Sequence, residues 1–309
     1  MHPHPVATRV LIVGEVLWDH FPDSRRLGGA PLNVAVHLRR FGHLPRLFSA
    51  VGADAPGQEA MTAIVARGLD TTLMQSTARF ATGRATVDLG LGDDTSFTID
   101  RPAAYDSLEV SEATVRQIVR WEPAWFYYGT LFPSCPNGRA VLDQLLAAVP
   151  DAVRFYDVNL RPGFESPQLV HELLQAAHVV KLNERELRFV HEHLQLPADP
   201  EGFCRAGSER YKWRAASVTL GAAGCGMLLG GEYVHVAASR VDVADPVGAG
   251  DAFVAAFLHG ILSNWPARRT AQFANSIAAQ VVGIRGALPS DVPEQDPAAV
   301  VRLVEADSN

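Results

Sequence analysis

Lysine is nearly missing from this chain: Lys181 and Lys212 stand against 25 arginines in 309 residues. Neither lies in a G-x-x-x-x-G-K-[ST] pattern, which excludes a nucleotide site built on a phosphate-binding P-loop. Cysteine is scarce as well. Cys135, Cys204 and Cys225 are too few and too scattered for a disulfide framework or a thiolate zinc site, and a reducing, cytoplasmic compartment is the expectation. The apolar run Val10–Val13 is far too short to span a bilayer. The opening Met1-His2-Pro3-His4-Pro5 lacks a basic stretch leading into an apolar one, so no secretory leader and no membrane partner are expected. With a net charge of −7 and no Lys/Arg run longer than two, nucleic acid is not an expected partner. His191-Glu192-His193 falls short of H-E-x-x-H, because two histidines two apart face different sides of a helix. His2 and His4 read as tail residues.

What is present is an ordinary globular composition, 48% hydrophobic and 20% charged, and enough length to bury a large core. Val10–Val13 reads as a buried parallel strand, Ala30–Phe41 as a helix, Leu47–Val51 as a second strand and Gly57–Arg67 as a second helix. Strands recur at Trp125–Tyr128, Val153–Asp157, His178–Leu182 and Ala216–Leu220, and helices at 249–263 and 267–283. This alternation predicts an α/β fold: a central, mostly parallel sheet flanked by helices. Two short segments break it. Thr86–Leu91 and Ser96–Ile99 alternate with period two around Gly92-Asp93-Asp94, a hairpin with one apolar face that suggests a small β lid near 86–100. Met227–Leu229 and Tyr233–Val236 form another hairpin. No repeat or linker interrupts residues 1–309, so one domain plus its lid is expected.

Chemistry concentrates in Asp245-Pro246-Val247-Gly248-Ala249-Gly250-Asp251-Ala252-Phe253, just before an apolar helix. Glycines at a helix start expose amide donors at the positive end of the dipole, a ready anion site. A carboxylate there would repel an anion, yet a general base needs that placement, beside the amides that hold the group being attacked. The plain alternative is a first-turn acidic residue after a glycine turn.

Other segments read two ways. Gly28-Gly29-Ala30-Pro31-Leu32-Asn33 is a helix start with proline just inside it, and Asn33 is a polar residue placed to face a ligand. Asp19 follows the first strand, at the carboxyl end where open α/β sheets bind ligands, or is a solvated loop acid. Asp157-Val158-Asn159-Leu160-Arg161-Pro162 puts three polar residues at spacing two, sharing one face if the segment is extended, or forms a surface loop. Asn183-x-x-Glu186 makes a capping box at a helix start. Thr219-Leu220-Gly221-Ala222-Ala223-Gly224 is a strand followed by a glycine turn. Asn275 sits on a small-residue helix face, where an adenine or a packed helix would lie.

Together these segments resemble, in order and over nearly the whole chain, the signatures of the ribokinase-like (PfkB) carbohydrate kinases. Within that family the chain is most similar to fructokinases, through Gly14-Glu15-Val16-Leu17-Trp18-Asp19, the Gly28–Ala35 run, Asp157–Pro162 and Arg101-Pro102-Ala103-Ala104-Tyr105-Asp106. The resemblance implies a ribokinase-like fold and an ATP-dependent kinase acting on a hydroxymethyl group of a small sugar, fructose foremost. Another sugar, a sugar acid such as 2-keto-3-deoxygluconate, a sugar phosphate or a nucleoside are the rival substrates, and a non-catalytic sugar sensor is the rival of another class. It makes Asp251 the base, with the amides of Gly248, Ala249, Gly250 and Asp251 as the anion hole. Asp19, Gly28, Gly29, Asn33 and Arg161 become sugar contacts. Asn183, Thr219, Gly221, Gly224 and Asn275 become nucleotide contacts, and Glu186 positions hydrated Mg²⁺. With no lysine expected beside the phosphates, Mg²⁺ is left to bridge them. Asp245, Gly286 and Ser290 match positions where some relatives bind a monovalent cation such as K⁺.

Only 12 residues separate Glu15 from Gly28, so the lid segment near 16–28 is short. Arg25 and Arg26 near its end, or Arg101, are the residues that would hold a phosphorylated sugar. The apolar face of the hairpin, with Val87, Leu89 and Leu91, needs a cover. The sugar cleft or a second subunit's lid would serve, and a homodimer is the expectation.

Overall fold

The computed structural model describes residues 7–89, 95–238, 241 and 247–283. Asp245, Gly286, Ser290 and Leu91 lie outside them.

The strands are β1 (Arg9–Val13), β2 (Leu17–His20), β3 (Arg25–Gly28), β4 (Leu44–Gly52), β5 (Met74–Thr77), β6 (Gly83–Leu89), β7 (Thr95–Asp100), β8 (Trp125–Gly129), β9 (Val153–Asp157), β10 (Val179–Asn183), β11 (Ala215–Thr219), β12 (Cys225–Leu229) and β13 (Glu232–Val236). The helices are α1 (Ala30–Arg40), α2 (Ala55–Ala66), α3 (Glu112–Trp121), α4 (Pro136–Ala148), α5 (Pro167–Ala176), α6 (Glu184–Leu194), α7 (Pro200–Tyr211), α8 (Ala249–Leu262) and α9 (Ala267–Val282). The main sheet has nine strands in the order β13-β12-β11-β10-β9-β8-β1-β4-β5. It is parallel from β5 across to β11, and the β11–β12–β13 edge is antiparallel.

Alternation along the strands divides the core in two. Val10 and Ile12 of β1 face a cluster that takes in Leu32 and Val34 of α1 and Phe253 and Phe257 of α8. Leu11 and Val13 face the other cluster, with Leu142 and Leu145 of α4, Val170 of α5 and Val190 of α6. Both faces are therefore dry, which is why β1 reads as an unbroken apolar run. Chain order reverses at β1, flanked by β8 and β4, and ligands of open α/β sheets bind outside the strand ends at such a point.

The two lid segments join into one four-stranded sheet, ordered β3-β2-β6-β7. β2 and β6 pair in parallel, Leu17 opposite Gly83, while β2–β3 and β6–β7 are antiparallel. The pairing of β2 and β3 with the hairpin is invisible to local periodicity, because both strands are only four residues long. Among the described residues, part of the lid's inner face is covered within the chain: Leu17, Ala85 and Ile99 pack with Leu131 and Phe164, and Val87 is buried. The outer part of that face, with Leu89 and Leu91, carries no described side chain, and the homodimer stays an expectation.

Candidate active site

Two helix starts and two strand ends converge on one cavity of about 250 Å³, lined by residues that include Glu15, Leu17, Asp19, Gly29, Asn33, Ala85, Ile99, Asn159, Arg161, Gly248, Gly250 and Asp251. Its volume is below the ~300–1,000 Å³ of pockets for drug-sized ligands, and suits one small molecule. Leu17, Ala85 and Ile99 bring the apolar underside of the lid onto it.

Helix α8 opens at Gly248, which sits in the left-handed region at φ 85°, and Asp251 falls in its first turn. The first amides of a helix have no partner inside it, so those of Ala249, Gly250 and Asp251 stand beside the cavity as donors. Asp251 Oδ2 accepts from Asn33 Nδ2 at 2.7 Å, which ties α8 to α1 across 218 residues of chain. Burial disfavours the Asp251 carboxylate and lifts its pKa to about 6; Asp157 adds to the lift, while Asn33, Arg161 and Lys181 oppose it.

Helix α1 starts at Gly29, with φ 104°. A side chain there would press on the Glu15 carbonyl, so glycine is required by the close approach of α1 to the β1–β2 turn as well as by the cavity. Gly28 faces the Asp19 carboxylate, which occupies the space a Cβ would need. Asp19 itself is buried in β2, between Arg26 of β3 and Ala85 of β6. Asp19, Gly29, Asn33, Arg161, Gly248, Gly250 and Asp251 thus meet at one cavity, with Gly28 behind Asp19.

The Asp157–Arg161 segment departs from the sequence expectation. β9 ends at Asp157, and Asn159 takes a left-handed φ of 37°. The backbone is not extended here, so the three polar side chains do not share a face. Asn159 and Arg161 line the cavity, whereas Asp157 is buried, accepting from Tyr127 Oη at 3.2 Å and from Lys181 Nζ at 3.3 Å.

Lys181 corrects a second expectation. It is only 4% exposed on β10, and a Cβ placed on Gly250 would stand 3.7 Å from its Nζ. A lysine therefore does lie by the glycine turn. The missed signal was its position two residues before Asn183 at a strand end. Burial works against its ammonium, but the charges of Asp157, Glu186 and Asp251 outweigh burial and hold its pKa above the ordinary value.

Glu15 was also missed as a site residue. It lines the cavity near Arg161 and Asp251, and burial raises its pKa to about 7. Arg101, in contrast, is not available for a substrate phosphate. It forms a two-point ion pair with Asp106 and donates to the Leu131 carbonyl and Ser134 Oγ. Arg25 pairs with Glu59 at 2.5 Å and stacks on Trp18, and Arg26 lies over Phe21.

Of the residues expected to meet a nucleotide, Asn183 and Thr219 end adjacent strands and pair across them. Asn183 caps α6 in a complete box: its Oδ1 accepts from the Glu186 amide at 2.9 Å, and Glu186 Oε2 accepts from the Asn183 amide at 2.8 Å. Glu186 Oε1 accepts from the Leu160 amide at 2.9 Å. Burial raises the Glu186 pKa, against the pull of Lys181. Gly221 has open space where a side chain would project, whereas Gly224 packs against the Val236 carbonyl. Asn275 Nδ2 donates to the carbonyls of Val236 and Ala237, tying α9 to the end of β13. None of these residues lines the cavity beside Asp251.

Among the described residues no group of three His, Cys, Asp or Glu side chains could hold a metal ion. Cys135, Cys204 and Cys225 are free thiols. No described helix is long and apolar enough to cross a membrane.

The model of the pfkB family of carbohydrate kinases matches residues 19–295. A fructokinase of Escherichia coli is 29% identical over 303 residues, covering 92% of this chain and 96% of that one. A solved fructokinase of Vibrio cholerae O395, holding fructose, ADP and calcium, superposes with a TM-score of 0.79 at 24% identity and covers 96% of this chain and 99% of its own. The 2-dehydro-3-deoxygluconokinase of Thermotoga maritima superposes with a TM-score of 0.82 at 17% identity, covering 96% and 99%. At these identities the two structures speak to the fold, and both share it.

Proposed function

The chain belongs to the pfkB family of carbohydrate kinases, and from that premise we propose that it transfers the γ-phosphoryl group of ATP to a hydroxymethyl group of a small uncharged sugar, with fructose as the leading substrate. One observation carries this reading. A carboxylate, Asp251, sits in the first turn of α8 at a cavity that Asp19 also lines.

Asp251 accepts the proton of the attacking hydroxyl, and Asn33 fixes the direction in which it does so. The amides of Gly248 to Asp251 stabilise the charge that develops on the transferring phosphoryl group. Asp19 accepts hydrogen bonds from sugar hydroxyls, which makes it the orienting residue. The lid's apolar underside keeps water from competing as acceptor. Asn183, Thr219, Gly221, Gly224 and Asn275 are the proposed nucleotide contacts. Mg²⁺, when bound with the nucleotide, neutralises phosphate charge. The residues here suit a hydrated ion, because Glu186 already turns both oxygens to backbone amides and no all-protein cage exists among the described residues.

The cavity's charged lining favours a neutral substrate: Glu15, Asp19 and Asp251 outnumber Arg161. A sugar phosphate loses support because Arg101 is committed to Asp106. A sugar acid remains the second reading, because Arg161, a planar donor matched to carboxylates, lines the cavity. ADP formation measured over neutral sugars, sugar acids, sugar phosphates and nucleosides decides among them. No ADP with any of them would leave a sugar-binding sensor, which has no use for a base at Asp251.

A further inference from the structure

Lys181 has no part in the proton transfer just described, yet the fold sets it close to the glycine turn proposed as the anion hole. This inference rests on the kinase reading. The chain uses arginine for nearly every cation, 25 against two lysines. The other lysine, Lys212, is a helix cap whose Nζ donates to the Glu209 carbonyl. Lys181 is different: a compact ammonium, buried on β10 and held 3.3 Å from Asp157 Oδ1. A Cβ placed on Gly250, which lines the cavity, would stand 3.7 Å from its Nζ.

A buried ion pair can be mere neutralisation, and many can be exchanged for neutral groups at little loss. Two features argue for more here. The pair is not isolated, since Glu186 and Asp251 also feel the Lys181 charge. The ammonium also stands close to the amide turn, where fixed positive charge adds to what the amides supply. The charged and polar groups facing Asp251 are Asn33 from α1, Asp157 from β9, Lys181 from β10, and Glu15 and Arg161 from the loops after β1 and β9.

We propose that Lys181 is a positioning residue for the transfer step: its ammonium, pinned by Asp157 close to Gly250, adds fixed positive charge to the amide turn beside Asp251.

The test measures kcat, sugar KM and the pH profile of kcat in Lys181→Met, with fructose or the best substrate of the panel. Expected is a kcat at least thirtyfold lower, a KM within threefold, and an acid limb moved to higher pH, because Asp251 then ionises without its cationic neighbour. Lys181→Arg, which keeps the charge, should return the acid limb to its place while recovering only part of the rate. Lys181→Met strands Asp157 and risks misfolding, so Asp157→Asn combined with Lys181→Met removes the pair as a unit. That double variant should still lose at least tenfold in kcat. A folded double variant within threefold of wild-type kcat overturns the proposal, whatever its melting temperature. So does a Lys181→Met protein that melts lower but keeps rate and acid limb. Wild-type protein that forms no ADP from any sugar defeats the kinase reading, and this inference with it.

Discussion

Helix α8 carries a buried ionisable group at each end, and burial drives both toward the neutral form. Asp251 in its first turn has a pKa raised to about 6; His259 in its last turn has one lowered to about 3. What surrounds them differs. Asp251 opens onto a cavity lined by other polar groups. His259 is packed among Phe41, Trp265 and Phe273, 3.0 Å from the ring of His43. The hydrogen bonds settle the tautomers there. The Thr8 amide donates to His43 Nδ1, so His43 carries its proton on Nε2 and gives it to His259 Nδ1. His259 Nε2–H has no hydrogen-bond partner and lies in the group that stands edge-on to Trp265. One perturbed group can meet a substrate; the other can only affect stability. A shifted pKa marks a candidate site only where the group has access to a ligand.

The sharpest way to break this contrast is at the accessible end. Asp251→Asn keeps the shape but cannot take the hydroxyl proton, so kcat should fall by roughly 10²–10⁴ with nucleotide affinity little changed. A variant that keeps more than about a tenth of wild-type kcat removes Asp251 from its assigned role.

The closed end should show itself in stability alone. The folded pKa values of His43 and His259, about 4 and about 3, lie below the unfolded value, so the unfolded chain takes up protons first as pH falls below about 6.5. Each imidazole then costs roughly 2 kcal/mol of stability at pH 5 relative to pH 7. Glu15 and Asp251 act oppositely. Their folded values are raised, so the folded protein binds protons first, and their contribution grows on acidification and fades as pH rises through about 6 to 7. The two ends therefore offset each other between pH 5 and 7. His259→Phe should gain about 2 kcal/mol over wild type on going from pH 7 to pH 5, read by denaturant titration at both values. An identical pH response in the two proteins would falsify this.

Between those effects lies the substrate wall. Asp19→Ala should weaken sugar binding by about 1.5–3 kcal/mol while leaving an ATP analogue bound as before, by calorimetry. Equal weakening of both ligands would point to a collapsed β2–β3 turn rather than a lost contact.

The smallest effect concerns the base and its neighbour. Activity should be lost as pH falls through about 6, where Asp251 takes a proton. Glu15, with a pKa of about 7, is mostly protonated on that limb, so Glu15→Gln should move the acid limb of kcat/KM to lower pH by only about half a unit or less. A limb that moves upward would mean that Glu15 aids ionisation of Asp251 rather than opposing it.

Much of the architecture was legible locally. Val10–Val13 reads as a strand buried on both faces because it has no polar alternation, and it is one. The glycine turn before Val254-Ala255-Ala256-Phe257 reads as a helix start with a displaced acid, and Gly248 and Asp251 stand there. Asp19, Gly29, Asn33 and Arg161 were each readable as ligand-facing or plain, and family resemblance tipped them. Their meeting at one cavity was an inference from that resemblance, not from spacing. The Asp157-x-Asn159-x-Arg161 spacing misled because it presumes an extended backbone, which Asn159 breaks.

What the sequence determined by itself is the alternation of elements and the chemistry available at their ends, since periodicity and turn residues are properties of neighbours in the chain. Only the tertiary structure decided which ends share a space. It set the buried lysine of β10 close to a glycine some 70 residues later, and packed Leu17, Ala85 and Ile99 of the lid on Leu131. It also closed one end of α8 in aromatic rings while leaving the other open. The physical reason is common to all of these: burial and charge pairing depend on distance in space, and distance in sequence does not encode it.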